Sequence, residues 1–535
     1  MELQKYLEKR FNALEEKKKE FEPQWEKIGE LCYVNADIYK KDQHNRTRQK
    51  VFDTTARNAL TYFTASMKSV LTPTTSQWHR LKSSNVLLEE NDEVQAYLQY
   101  ATDLLFKVRY SARSTFASEV DMFLTQVGLF GVGVMFVEEA IGRGINYKTI
   151  PIDEIYLDEN AQGVVDTVYR KFTLTARQAL ETYGEACSEQ IRKCVDTGRE
   201  DQEFEFLHAV EPRKNRNPKG KTSKDMPIAS YHLEVKAKKV VKESGYTTMP
   251  YTVCHYLKLP HSPYGDSPAL QSFYDILTAN EMAKTILRTG QLQANPPVLT
   301  SSGLIDSSKL GAAGAIIRGG LDSQGRPTAQ SMQYGNNLSV TLEMQQETRA
   351  AIEKAFLVPL FQALTQEKRM TATEVEKREV EKAMLLAPMC ERMASEWLNA
   401  MIEREIDILS KYGYLDDVPE VLQVDGAISV EFQSPYIRMQ DSDKILGLYK
   451  TIESTLTMAQ TDPSVLDILN MPQAIRQIAS YYNVDTSCLR SEQEVQQLGQ
   501  ARATEQQAQQ MLGAGESLTK SMKNIGVGGE ILGIQ

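Results

Sequence analysis

Apolar residues recur at three- and four-residue spacing from the start of the chain: Leu3, Leu7, Phe11, Leu14, Phe21, Trp25 and Ile28. That period places one apolar stripe on a helix, so the spacing predicts amphipathic helix up to and again after Pro23. A second helix is predicted over Ala56–Leu71, closed by Thr72-Pro73, and a third over about Asn91–Tyr110, with a strand-like segment at Trp78–Leu81 between them. From Phe123 the run VGLFGVGVMFVEE sets Val, Phe and Met around Gly131 and Gly133, which predicts a helix entering a buried strand with close backbone approach. Strand signals continue at Tyr147–Ile152, Val164–Phe172, Phe204–Val210, Tyr231–Val235 and Thr252–Lys258. Arg213–Lys224 reads as a polar, basic, solvated loop.

The next third has a different rhythm. In Tyr264-Gly265-Asp266-Ser267-Pro268 a turn feeds a helix, with Ser267 suited to the N-cap and Pro268 to the first helical position. Leu270, Phe273, Leu277, Ala283, Ile286 and Leu287 form its stripe, and Asn295-Pro296-Pro297 stops it after ~28 residues, ~42 Å at helical rise. Pro297–Asn337 reads as a small αβ insertion, with strand signals at Val298-Leu299 and Ala315-Ile316-Ile317 and a turn at Gln324–Pro327. A second helix is predicted over Ser339–Val358, ended by Pro359, followed by the polar segment Gln362–Met370. A third starts at Thr373, where Thr373 and Glu376 match a capping box. Its stripe of Met384, Met389, Met393, Trp397, Met401, Ile402, Ile406 and Leu409 runs to Gly413, bent at Pro388. Residues 428–438 read as a strand, helices resume at Asp441, and the Gln-, Ala- and Gly-rich sequence from Ser491 is expected to end in a flexible tail.

Composition narrows the class. With 535 residues, 41% hydrophobic and 25% charged, the chain can bury a core and is expected to form several regions. Its apolar runs fall short of the ~18–20 residues that cross a bilayer, and its charged beginning lacks an apolar signal segment, so membrane and secretory readings are disfavoured. Six cysteines lie scattered without a C-x-x-C pair, which argues against a disulfide framework or a cysteine zinc site and fits a reducing cytoplasm. The formal net charge of −10 opposes tight DNA binding over the whole surface, since such binding relies on basic residues displacing phosphate counterions. It leaves open a protein that lets DNA pass without holding it.

Catalytic chemistry finds no footing. The nearest approach to a phosphate-binding loop, Pro218-Lys219-Gly220-Lys221-Thr222, has Asn215 where the first glycine is needed. Gly128, Gly131 and Gly133 are ordered wrongly for a dinucleotide site. His255 and His261 have irregular spacing and no carboxylate at metal-ligand distance, and Asp441 and Asp443 read as a helix cap rather than a magnesium pair. No cofactor, metal or catalytic residue is expected.

What remains is an order of helix, small insertion, helix, polar loop and long helix between Ser267 and Gly413. Several short stretches occur with it: Trp78-His79-Arg80-Leu81 after a Thr-Pro, Gly131-Val132-Gly133 followed by Val137-Glu138-Glu139, Tyr264–Pro268, and Met370-Thr371-Ala372-Thr373-Glu374-Val375 with Pro388 downstream. In this order, over about residues 10–490, they resemble the head-to-tail connector, or portal, proteins of T7-like short-tailed bacteriophages. The resemblance implies an α+β portal fold in a ring, usually of twelve copies, at one capsid vertex, with double-stranded DNA entering and leaving through the axial channel.

It also implies a map. Residues 1–265 form N-terminal helices and a mixed α/β wing, 266–296 a first stem helix, 297–337 a clip, 338–359 a second stem helix and 360–372 a tunnel loop. Residues 373–440 return to the wing, 441–490 form a helical crown, and 491–535 a tail. The implied partners are the terminase motor, tail adaptor and nozzle proteins, capsid and scaffolding proteins, and internal core or ejection proteins, in a virion assembled in the host cytoplasm.

Site expectations follow from that map. Glu343, Glu347 and Glu353 line the stem channel, where acidic side chains repel phosphate across the ~8 Å screening length. Gln366, Lys368 and Arg369 face the bore from the tunnel loop, the two cations making brief, sequence-blind phosphate contacts. Arg318, Asp322 and Arg326 dock partners at the clip, and Glu376 and Arg378 on the long helix meet a neighbouring subunit. Arg349 and Lys354 are expected to pair with glutamates. Two rival classes are a non-viral helical scaffold and a DNA-processing enzyme.

Overall fold

The computed structural model describes residues 2–33, 51–85, 91–140, 144–217, 222–294, 296–300, 323–331, 338–362, 385–415, 418–422, 428–432, 435–459 and 468–481, with single positions at 88, 220, 321, 494, 495 and 498. Helices α1 (Glu2–Lys18) and α2 (Glu22–Cys32) carry the predicted stripe: Leu7, Leu14, Trp25 and Ile28 are buried. Pro23 stands in the first turn of α2, where its missing N–H deprives no carbonyl of a partner. Helix α3 (Thr55–Leu71), β1 (His79–Ser83), α4 (Asp92–Arg109), α5 (Phe116–Phe130) and β2 (Val132–Ala140) follow at the predicted places.

Gly131 joins α5 to β2 with φ +76° in the left-handed region, and a Cβ there would lie 2.6 Å from the backbone oxygens of Gly265 and Asp266. The close approach read from the sequence is therefore a backbone crossing. Gly131→Ala combines a left-handed penalty with a clash against main chain, and is expected to lower stability by about 2–3 kcal/mol, read from the denaturant midpoint.

Next come β3 (Gly144–Thr149), β4 (Ile155–Glu159), β5 (Val165–Thr175), α6 (Ala176–Tyr183), α7 (Glu189–Asp196), β6 (Glu203–Pro212), β7 (Ile228–Glu234), β8 (Lys239–Tyr246) and β9 (Tyr251–His255). The strand expected to reach Ile152 stops at Thr149, because Pro151 has no N–H to donate and Ile152–Glu154 turns as a 3-10 helix. The hydrophobic pattern missed β4, α6, α7 and β8. One signal for α6 was present: Thr175-x-x-Gln178 is a capping box, with Gln178 N–H donating to Thr175 Oγ1 at 3.3 Å and Thr175 N–H to Gln178 Oε1 at 3.1 Å.

Strands β4-β5-β6-β7-β8 form an antiparallel meander in that spatial order, and β2 is the middle strand of a second antiparallel sheet, β3-β2-β9. Alternation along β6 divides its side chains between two layers. Phe204 and Phe206 pack with Ala179, Cys187 and Ile191 of the α6–α7 layer, while Leu207 and Ala209 pack with Leu7 and Leu14 of α1. The basic loop after β6 is solvated as read at 214–217 and 222–224, with Arg213 the exception. Arg213 donates to Ser244 O at 2.6 Å and Met226 O at 3.2 Å and pairs with Glu243 at 3.3 Å, its side chain nearly buried.

The chain continues through β10 (Leu257–Lys258), β11 (Gly265–Asp266), α8 (Pro268–Gln271), α9 (Phe273–Ala294), β12 (Val298–Thr300), β13 (Ala329–Ser331), α10 (Leu338–Ala355) and α11 (Val358–Gln362). The single helix expected from Ser267 to Asn295 is broken at Ser272, which bonds back to Pro268 O through both its hydroxyl (2.7 Å) and its N–H (3.1 Å). Nor does Pro359 end the second helix. Helix α10 stops at Ala355, the chain turns at Leu357 with φ +59°, and Pro359 falls in the first turn of α11.

Helix α12 (385–393), a π-helical turn (Ala394–Asn399) and α13 (Ala400–Lys411) carry the long apolar stripe, burying Met393, Trp397, Met401, Ile402 and Leu409 before Gly413. Strand β14 covers only Ile428–Phe432, not 428–438, and α14 (Pro435–Ala459) begins at a proline suited to a first helical position. Asp441 and Asp443 consequently lie inside a helix instead of capping one. Helix α15 (Met471–Tyr481) follows. The strand signal at Ala315–Ile317 and the capping box at Thr373 lie outside the described residues.

Two compact units divide the chain. The first, 1–80, 101–418 and 430–436, holds both multistranded sheets and helices α8–α13. The second, 81–100, 419–429 and 437–535, holds α15 and most of α14, with Leu98, Leu422, Ile445 and Ala474 buried. Among the described residues no helix is long and apolar enough to cross a membrane.

Candidate channel wall and its supports

Ser267 holds the entry to the helical pair α9–α10. Its Oγ accepts from Leu270 N–H at 2.9 Å, as a cap should, while its hydroxyl donates to Leu129 O at 2.8 Å. At the base of α9, Phe273, Ile276, Ala279 and Asn280 are buried, whereas no residue from Glu281 to Ala294 is. Helix α10 packs along α9 and buries Gln345 and Ile352.

At about 100° per residue, Gln345 and Ile352 mark the packed line of α10, and Glu343 lies roughly 160–180° from it. Glu347 is about 40° round from Glu343, and Lys354 falls between them on the same face. Glu353 stands apart, about 80° from Glu343 and about 120° from Glu347. All three glutamates are exposed, but only Glu343 and Glu347 share the face opposite α9. Flanking that face are exposed apolar side chains: Val340 (54%) and Met344 (50%) on one side, Leu342 (41%) on the other.

Arg349 does not pair with a glutamate. Its Nε donates to Asp53 Oδ2 at 2.8 Å and its Nη2 lies 2.7 Å from the same oxygen. The other oxygen, Oδ1, accepts from Thr55 N–H at 2.9 Å at the start of α3. Burial works to raise the Asp53 pKa, but the Thr55 hydrogen bonds and the Arg349 charge prevail and hold it below the usual carboxylate value. From α9, Asn280 Oδ1 accepts from Phe52 N–H at 2.7 Å and Asp53 N–H at 3.3 Å.

Of the other predicted site residues, Gln366, Lys368, Arg369, Arg318, Asp322, Glu376 and Arg378 lie outside the described residues. Arg326 sits in an exposed turn with Gly325 at φ +77°, its Nη2 donating to Gln324 Oε1 at 2.8 Å.

The polar groups that sequence reasoning missed are internal. Arg109 of α4 forks onto Glu405 of α13: Nε donates to Oε1 at 3.0 Å, Nη2 pairs closely with Oε2, and Tyr147 OH donates to Oε1 at 2.6 Å. Neither charged side chain reaches solvent beyond 1%. Burial opposes the Arg109 charge, yet Glu405 beside it raises its pKa, while burial and Glu405 together push the Tyr147 phenol well up. His208 and His232 stack with ring centroids 4.1 Å apart and lie beside Tyr251, Ser230 and Tyr183 hydroxyls at 2.8–2.9 Å. His255 bonds Glu396 at 2.8 Å and Pro263 O at 3.0 Å, so a carboxylate that the sequence placed nowhere near it, 141 residues away, stands beside its ring. Burial pushes the thiols of Cys32 and Cys390 up to about 12, the inert state of a core cysteine. Among the described residues no group of His, Cys, Asp and Glu is placed to hold a metal.

The wall, the capped helix pair and the absence of a reactive cluster among the described residues direct attention to relatives. The sequence profile of the family described as "Bacteriophage head to tail connecting protein" matches residues 4–489. This chain belongs to that family. Among connector relatives, the probable portal protein of Bordetella phage BPP-1 is 26% identical over 520 residues, covering 95% of this chain and 92% of the relative. The portal protein of Salmonella phage epsilon15 is 24% identical over 531 residues, covering 97% and 94%. The match therefore takes in both multistranded sheets, both helices of the candidate wall and α12–α13, and the connector resemblance read from short motifs extends over nearly the whole chain.

Proposed function

We propose that this chain is the portal subunit of a bacteriophage: a structural protein whose copies form a ring at one capsid vertex, through which genomic DNA is packaged and ejected. The observation that carries the reading is the division of α10 into an inner line packed on α9, an opposite face bearing Glu343 and Glu347, and apolar strips on both flanks. One acidic face between two apolar flanks suits a helix that meets a like neighbour on either side and turns its charge to a lumen. A heterologous contact repeated by a closing rotation yields such a ring.

In this reading 266–296 and 338–359 are the stem, 297–337 is the clip that docks terminase and later tail proteins, and 360–372 is the tunnel loop. Residues 441–490 are the crown inside the head. Acidic side chains around the bore keep the duplex from settling in any register, because repulsion comes from all sides. Lys368 and Arg369 supply the brief phosphate contacts. Capsid, scaffolding and internal core proteins complete the surroundings, in a virion assembled in the host cytoplasm.

The experiment is microscopy with native mass measurement of the purified full chain. Twelve 60.4 kDa copies give an annulus of roughly 725 kDa with a central hole. Monomers or open polymers would favour the non-viral scaffold, and turnover of ATP or cleavage of duplex by pure protein would favour the enzyme. Arg378→Glu is expected to weaken the ring by reversing an interface charge, seen as smaller species in the native spectrum. Replacing Glu343 and Glu347 together by Lys is expected to leave rings that retain duplex at low salt and release it as salt rises, read by co-elution.

A further inference from the structure

We infer that Asp53 is a positioning residue for the acidic face of α10: it fixes the rotation of that helix by joining α3, α9 and α10 at one point. The inference rests on the channel reading above. Packing leaves the upper part of α10 under-determined, since between Val340 and Lys354 the fully buried side chains are Gln345 and Ile352, seven residues apart on one line, while Thr341, Thr348 and Arg349 are half-buried. A helix held along one narrow line can roll about it, and a roll of one residue's width carries Glu343 and Glu347 off their direction.

Arg349 removes that freedom. It sits about 60° from Ile352 around the helix, off the packed line, and two of its guanidinium nitrogens reach a single oxygen of a carboxylate whose side chain is 4% exposed. Asp53 in turn cannot swing. Thr55 N–H holds its second oxygen, and Asn280 of α9 accepts from the backbone N–H groups of Phe52 and Asp53. The fork on α10 is thereby anchored to a segment that α9 itself clamps. The planar guanidinium makes the contact directional, which a lysine at 349 would not supply.

The test is hydrogen exchange and DNA passage on full-length rings of three variants: Asp53→Asn, Arg349→Lys, and the exchanged pair Asp53→Arg with Arg349→Asp. Asp53→Asn is expected to speed amide exchange in residues 338–348 by about tenfold, leave the five-stranded sheet unchanged and reduce DNA passage, while rings still form. Arg349→Lys should fall between it and wild type, and the exchanged pair should recover exchange protection and passage together. Uniform acceleration across the first unit would make Asp53 an ordinary stability residue and overturn the inference, as would unaltered passage with altered exchange. Wild-type rings that pass no DNA would sink the channel reading instead, whatever Asp53 does to exchange.

Discussion

Glu405→Ala is expected to destabilise the first unit by about 3–5 kcal/mol, the range for removing one partner of a fully buried ion pair. The loss exceeds the value of the pair itself, because Arg109 stays behind in a site where neither side chain is exposed beyond 1%. Stacking cannot replace the carboxylate: the guanidinium lies 4.7 Å from the Trp78 ring, but a π face is a weak counter-charge. Arg109 Nη1 already lacks a hydrogen-bond partner in the native fold. Replacing both charges, Arg109→Met with Glu405→Leu, is expected to recover most of the stability, since apolar groups of similar volume need no desolvation. Urea denaturation of the two variants beside wild type measures the difference. Equal destabilisation by the single and double replacements would show that packing volume, not unpaired charge, sets the cost.

Acidification from pH 7 to 5 is expected to destabilise the fold, three buried histidines outweighing one buried aspartate in opposed contributions that can be separated by mutation. Burial and the Arg109 charge hold the His79 pKa well below its ordinary 6.5, burial and His232 do the same to His208, and burial with Lys242 and Arg170 pushes His232 down to about 3. Each is neutral in the fold but protonates near 6.5 when unfolded, so its contribution is complete above 6.5 and lost as pH falls below it. His232 forfeits roughly 2 kcal/mol by pH 5, and His79 and His208 act in the same direction. Asp153 has the opposite sign. Burial and the neighbouring Glu154 raise it to about 7, so the folded state takes up its proton first and gains roughly 2 kcal/mol over the same window. His79→Phe should reduce the acid slope by one histidine's share and stabilise the protein at pH 7, because both His79 ring nitrogens are buried without a hydrogen-bond partner among the described residues. Thermal midpoints at pH 7, 6 and 5 decide it. An unchanged slope in His79→Phe would remove His79 from the account.

Particular elements show what a linear reading reaches. The Ser267-Pro268 start of α8 was legible because capping and the missing proline N–H are local, requiring only neighbours in sequence. Gly131 was legible as a close approach, though not that Gly265 and Asp266 are what approaches. Strand β8 escaped because KVVKESGY is an edge strand with a largely polar text, and α6 escaped because eight residues are too few for a period to emerge. Leu357 in the left-handed region left no sign at all, since no glycine marked the turn.

The candidate wall divides the same way. That Glu343 and Glu347 lie on one face follows from their spacing of four, and the same helix arithmetic sets Glu353, expected beside them, about 80° away from Glu343. Which side of α10 is packed depends on α9, so the direction of that face needed the fold. Arg349 was assigned a glutamate because only nearby carboxylates are visible in a string, whereas Asp53 lies 296 residues away. The pairing of Arg109 with Glu405, also 296 residues apart, was hidden for the same reason.

Sequence alone determined the family, the presence of the helices α9, α10 and α13, and the Ser267-Pro268 cap, but not the break at Ser272 or the turn at Leu357. The first three arise from forces that act within a few residues or from motifs legible as local text. Tertiary structure decided which charges are buried, which partners they hold and which face of the wall is free. Those depend on contacts between distant segments, and a buried charge can be identified as safe or costly only when the group opposite it is known.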